Sequence, residues 1–209
     1  MKNAHYIVFD CETGGLEPMK NPITQIALLT VDGDSLKEIN RWETFVKPYD
    51  DLEITKEALN TTGLKMADIN AGLSKKDLVN SLITYFKESA PNSRPENRPV
   101  LVGHNVQFDM GFLNYIFNTL SKNVFDYVNP TQIDTMALTK MYGKTERLKL
   151  EIACAEFGIV LKNAHSAMPD VIATTDLLKQ YVSMLRSSEK SSGSSAKDKV
   201  VKSRVKFQF

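Results

Sequence analysis

Tyr6-Ile7-Val8-Phe9-Asp10-Cys11-Glu12 is the stretch whose reading decides the fold. It begins with a short, continuous apolar run, the mark of a strand buried on both faces in the middle of a sheet, and Gly14 and Gly15 then end it. Side chains alternate with period two along a strand, so Asp10 and Glu12 point one way and Cys11 the other. Two carboxylates at a strand end repel each other unless a cation neutralises them, so an Asp-x-Glu at this place points to metal. Taken alone, the pair is accounted for better by a strand end fraying into polar loop.

Outward from this strand, residues 22–31 and 36–46 are β-rich and are joined by Asp32-Gly33-Asp34-Ser35, a turn that predicts an antiparallel hairpin. Residues 77–89 carry Leu78, Val79, Leu82, Ile83, Tyr85 and Phe86 at helical spacing, and the polar, proline-containing residues 91–99 end that helix. A fourth strand is expected over 99–103. A helix over 106–120 follows, with Asn105 as its N-cap, and Thr131, Ile133 and Thr135 mark a short fifth strand. Further helices are expected over 134–142, 148–157 and 168–185. Three early strands with a hairpin, then alternating helices and strands, make an α/β domain with a mixed sheet and helices on its faces. Ligand chemistry in such sheets collects at the carboxyl ends of the strands, where the acidic residues fall.

The 209 residues are 42% hydrophobic and 24% charged, which fits one globular domain with a single large core and excludes disorder as the default. No run approaches the roughly 18 apolar residues of a membrane span, and the N-terminus lacks a signal core, so a cytoplasmic protein is expected. Cys11 and Cys154 are too few for a zinc-ligand pattern and read as reduced thiols. Net charge is +1, but residues 186–209 carry +5 and the body before them −4. An acidic body is compatible with a site of carboxylate-held cations, because bound metal reverses the local sign.

Two further pieces complete the constellation. In Gly103-His104-Asn105-Val106-Gln107-Phe108-Asp109 a strand stops and a helix begins, placing Asp109 in the first helical turn, where a carboxylate also simply complements the macrodipole. His104 reads as a satisfied structural histidine. In His165-Ser166-Ala167-Met168-Pro169-Asp170, Ser166 is positioned to cap a helix, Pro169 and Asp170 fall in its first turn, and His165 precedes it in a loop. A solvent-exposed capping segment explains that piece equally when it stands alone.

Together the three pieces resemble the motifs of the DEDDh 3′→5′ exonucleases of the proofreading superfamily, which includes ε-subunit-like and RNase T-like enzymes. Residues 9–16 look like the first motif, 103–109 the second and 165–170 the third, and the likeness extends to Ile133-Asp134-Thr135 and 148–159, covering residues 5–185. Val171 and Ser166 depart from the pattern and leave the subfamily open. The resemblance implies an RNase H-like fold: a five-stranded mixed sheet, its first three strands antiparallel and the rest parallel, flanked by helices. It implies catalysis by Asp10, Glu12, Asp109, His165 and Asp170. The four carboxylates would hold two Mg²⁺ or Mn²⁺ ions and His165 would take the proton of the attacking water. Thr13, Gly14, Leu16, Asn105 and Phe108 are expected to meet the terminal nucleotide; for Leu16 and Phe108, core packing is an equal account.

The expected substrates are single-stranded DNA or RNA 3′ ends. A DNA exonuclease for proofreading or trimming leads, an RNase T-like or oligoribonuclease-like exoribonuclease is the alternative, and an inactive nuclease-fold scaffold is the reading from another class. Domain boundaries are set at 1–186 for the nuclease, 187–199 for a flexible Ser/Lys-rich linker and 200–209 for a basic amphipathic peptide. In that peptide Val201, Ser203, Val205, Phe207 and Phe209 alternate with Lys202, Arg204, Lys206 and Gln208. Such a segment is read either as a strand that adds to a DNA polymerase or sliding clamp, as a single-strand contact, or as a solvated chain end.

Overall fold

β1 (His5–Thr13) lies in the middle of a five-stranded sheet of order β3-β2-β1-β4-β5, in the computed structural model that describes residues 4–161 and 166–193. β1 pairs antiparallel with β2 (Ile23–Asp32) from His5 opposite Asp32 to Glu12 opposite Gln25, and β2 pairs antiparallel with β3 (Glu38–Phe45). On its other side β1 runs parallel to β4 (Val100–Gly103), which runs parallel to β5 (Ile133–Asp134). This is the RNase H-like arrangement expected, three antiparallel strands followed by parallel ones.

The period-two alternation of β1 divides the core. Ile7, Phe9 and Cys11 face a cluster built with α3 (Lys75–Ser89) and α4 (Val106–Asn118) through Leu78, Leu82, Phe86, Phe112 and Ile116. Val8 faces the other way, with Ala27, Leu29 and Val102, onto Val171 and Leu178 of α7 (Ala167–Gly193). Each layer is sealed by fully buried side chains, which at about 25 cal/mol per Å² of apolar surface supply the main favourable term of folding. A third cluster joins α7 to α6 (Leu150–Glu156) through Cys154, Leu177 and Tyr181, and α5 (Thr135–Tyr142) packs on α7 as well.

Several boundaries differ from the expectations, each for a local reason. Leu36, expected to open the third strand, sits in the hairpin turn at φ 54°. α1 (Lys56–Thr62) and α2 (Met66–Ala71) were not anticipated; α1 buries no residue and α2 only Ile69, so neither carries an apolar stripe. Asn105 does precede α4, but in the left-handed region at φ 65° and without a side-chain capping bond. Its backbone N–H donates instead to Asp134 Oδ1 at 3.0 Å, and the same oxygen accepts from Met136 N at 2.9 Å to cap α5. α7 continues to Gly193, beyond residue 185 where the helix was expected to end. His165 and the peptide 200–209 lie outside the described residues. No described helix is long and apolar enough to cross a membrane.

Candidate active site

Because Val8 faces α7, so do Asp10 and Glu12, two and four residues on. Asp170 comes to meet them from the first turn of α7, whose register is set by Val171 and Leu178 against β1 and β2 and by the N–H of Asp170 donating to Ser166 O at 3.2 Å. Asp10, Glu12 and Asp170 each bring a carboxylate oxygen within 4.8 Å of the others. Asp109 arrives from the opposite layer: it is 4% exposed in the first turn of α4, and its Oδ1 accepts from the backbone N–H of Cys11 at 3.0 Å. Asp109 is therefore outside the three-oxygen group but anchored to the residue between Asp10 and Glu12.

The electrostatics reflect this crowding. Loss of hydration, then the charges of Asp109, Glu12 and Asp170, push the Asp10 carboxyl well above the usual carboxylate range. Burial and then Asp170 raise Glu12 to about 7. Burial raises Asp109 to about 7 as well, opposed by the hydrogen bond from Cys11 and assisted by Glu12. Oxygen donors held this close, with Asp10, Glu12 and Asp109 resisting ionisation, fit a hard divalent cation whose charge would relieve the repulsion. Cys11 faces the other layer, away from Asp10 and Glu12, and burial with the neighbouring negative charges drives its thiol well up.

The remaining residues singled out by sequence are placed as follows. Thr13 is buried and donates from Oγ1 to Gly15 O at 2.6 Å. Gly14 is needed for a close approach made by the protein itself: a Cβ there would lie 2.8 Å from Glu53 O and from Pro22. Leu16 is 81% exposed, which removes core packing as its account. Phe108 is half-buried, packed on the α3/α4 core with its ring 5.1 Å from that of Phe112. Asn105 is exposed beside it. His104 is the structural histidine expected, its Nδ1 2.9 Å from Thr135 Oγ1 and its Nε2 2.5 Å from Leu148 O.

Gln25 was overlooked. It stands opposite Glu12 on β2, is 5% exposed, and its Oε1 accepts from the N–H of Ala167 at 3.4 Å, tying the start of α7 to the sheet. The signal for it was a long amide in the run from Ile23 to Leu29, where Thr24 is the only other polar residue. Asp134, which holds both the entry to α4 and the start of α5, was noted only as part of a motif.

Residues 7–178 match the RNase T family model, described as an exonuclease. The chain is 30% identical over 181 residues to the PolC-type DNA polymerase III of Halalkalibacterium halodurans and 30% identical over 174 residues to that of Bacillus subtilis, covering 86% and 83% of this chain. It spans about 11% of the length of either relative. Its fold is similar to Escherichia coli exonuclease I in complex with single-stranded DNA, with TM-score 0.73 and 22% identity over 85% of this chain and 40% of that one. It is likewise similar to the same enzyme with a dT13 oligonucleotide, with TM-score 0.70 and 21% identity over 85% and 40% of the two chains. The chain thus belongs to the RNase T exonuclease family, within the DEDDh-type 3′→5′ exonuclease superfamily.

Proposed function

We propose that the chain hydrolyses phosphodiester bonds at the 3′ ends of single-stranded DNA and releases nucleoside 5′-monophosphates, in proofreading or 3′-end trimming. The observation that carries the reading is the meeting of Asp10 and Glu12 from β1 with Asp170 from α7, oxygens within 4.8 Å, over a strand end pinned by Asp109. Asp10, Glu12, Asp109 and Asp170 would hold two Mg²⁺ or Mn²⁺ ions. Such a pair, when bound, neutralises charge building on the phosphate, activates water and stabilises the departing 3′ oxygen.

The protein groups around it do the rest. His165 accepts the proton of the attacking water; the support for this is its place in the chain, one residue before Ser166 and the turn that delivers Asp170. Leu16, projecting into solvent, is suited to wedge against the terminal base, and Thr13, Gly14, Asn105 and Phe108 are assigned to the same nucleotide from their places beside the first and second motifs. DNA is favoured over RNA because the matched relatives are DNA polymerases and the similar structures hold DNA oligonucleotides.

The test is digestion of 5′-labelled single strands of DNA and RNA with Mg²⁺ or Mn²⁺. DNA is expected to shorten stepwise from its 3′ end, with activity abolished in Asp10→Asn and reduced about 10²–10⁴-fold in His165→Ala. Failure to release mononucleotides from any 3′ end overturns the proposal. Preference for RNA transfers it to the exoribonuclease alternative.

A further inference from the structure

The last turn of α5 and the loop that leads from it to α6 concentrate positive charge beside the site. Residues 140–149 contain Lys140, Lys144, Arg147 and Lys149 against a single acid, Glu146, in a chain whose net charge is +1. All four cations are exposed, and among the described residues none of them enters an ion pair. Tyr142, 39% exposed, adds an aromatic face at the same edge.

This loop has a built position. The backbone N–H groups of Lys144 and Thr145 donate to the Glu156 carboxylate at 2.5 and 3.3 Å, and Arg147 N donates to Thr145 Oγ1 at 3.1 Å. Leu148 O is held by His104 Nε2, and His104 follows directly on β4. The parallel register that sets Val102 beside Val8 carries His104 to the level of Asp10 on the neighbouring strand. The loop is therefore fastened at the carboxyl end of the sheet, on the α4 side of the carboxylates. On the far side, toward β3, a cavity of about 640 Å³ is lined by Glu43 and Asp68, which repel a polyanion.

We infer that residues 140–149, the last turn of α5 and the loop after it, are the grip for the phosphate backbone of the single strand upstream of its 3′ end, so that the strand reaches the carboxylates over the α4/α5 edge and not over β3. Exposed unpaired cations interleaved with an aromatic ring are what a sequence-tolerant single-strand contact requires. This role rests on the exonuclease reading above, and extends it from the scissile bond to the rest of the substrate.

The experiment uses the full chain and two triple variants: Lys144→Ala/Arg147→Ala/Lys149→Ala in the loop, and Lys37→Ala/Lys87→Ala/Arg94→Ala, equal in charge lost but placed at the opposite end of the sheet. KM and its salt dependence are measured on a dinucleotide and on a long single strand of DNA. For the loop variant, KM on the long strand is expected to rise about tenfold or more, with a shallower salt slope, and to rise far less on the dinucleotide. An unchanged KM on the long strand overturns the inference, as does an equal rise in the distal variant, which would make overall charge the cause. Absence of hydrolysis by the unaltered protein on both substrates sinks the exonuclease reading itself, a result distinct from either.

Discussion

Single carboxylates in this site work against the stability of the fold. Glu12 and Asp109 titrate at about 7, above their ordinary 4.5 and 3.8, because burial and neighbouring charge disfavour ionisation. The folded, metal-free chain thus keeps protons that the unfolded chain releases. That contribution to stability is fully present below about pH 4 and is lost as pH rises through about 7. Removing one charge from the group relieves the repulsion. Asp10→Asn is expected to raise the metal-free Tm at pH 8 by about 2–4 °C while abolishing hydrolysis, as calorimetry and digestion of a labelled strand would report. A lower Tm would mean that the Asp10 carboxyl anchors the strand end. The i, i+2 relation of Asp10 and Glu12 was legible from strand periodicity alone. The bond from Cys11 N–H to Asp109 was not, since 98 residues separate the two and no local pattern reports it.

At the level of elements, strands and helices that bury a stripe were legible, and those that do not were missed. β1, β2, α3 and α4 carry apolar side chains at their own period and lie where expected, whereas α1 buries nothing and left no trace. The entry to α4 was legible as a junction but assigned to the wrong device. Asn105 is left-handed, and Asp134 from β5 accepts its N–H together with that of Met136. Asp134→Ala leaves two backbone donors, one exposed and one half-buried, without their side-chain acceptor and is expected to cost about 1 kcal/mol. Asn105→Gly keeps the backbone bond and suits φ 65°, so it should change stability little, while Asn105→Val forces a β-branched residue into that region and should cost about 1–2 kcal/mol or more. Chemical denaturation of the three variants checks the order. If Asn105→Gly proved as damaging as Asn105→Val, the Asn side chain and not the backbone angle would be what the junction requires.

For the whole molecule, the sheet is a platform that brings carboxylates from two layers to one strand end, and a bound cation would return the cost of assembling them. Folding and metal binding would then be linked, and both would be linked to protons, because ligands must shed protons to coordinate. At pH 8 the groups at about 7 are largely ionised, and Mn²⁺ or Mg²⁺ at a hundredfold excess over Kd should stabilise the fold by about 2.7 kcal/mol. Below about 7 each bound proton must be displaced, so apparent affinity falls by up to about a hundredfold per pH unit once both groups are protonated. The metal-induced rise in Tm is therefore expected to be large at pH 8 and to shrink toward zero by about pH 6. Asp170→Asn should remove the rise at both pH values, because it takes one oxygen from the group held within 4.8 Å. A rise in Tm equal at pH 6 and pH 8 would place the bound ion elsewhere on the protein, away from Glu12 and Asp109.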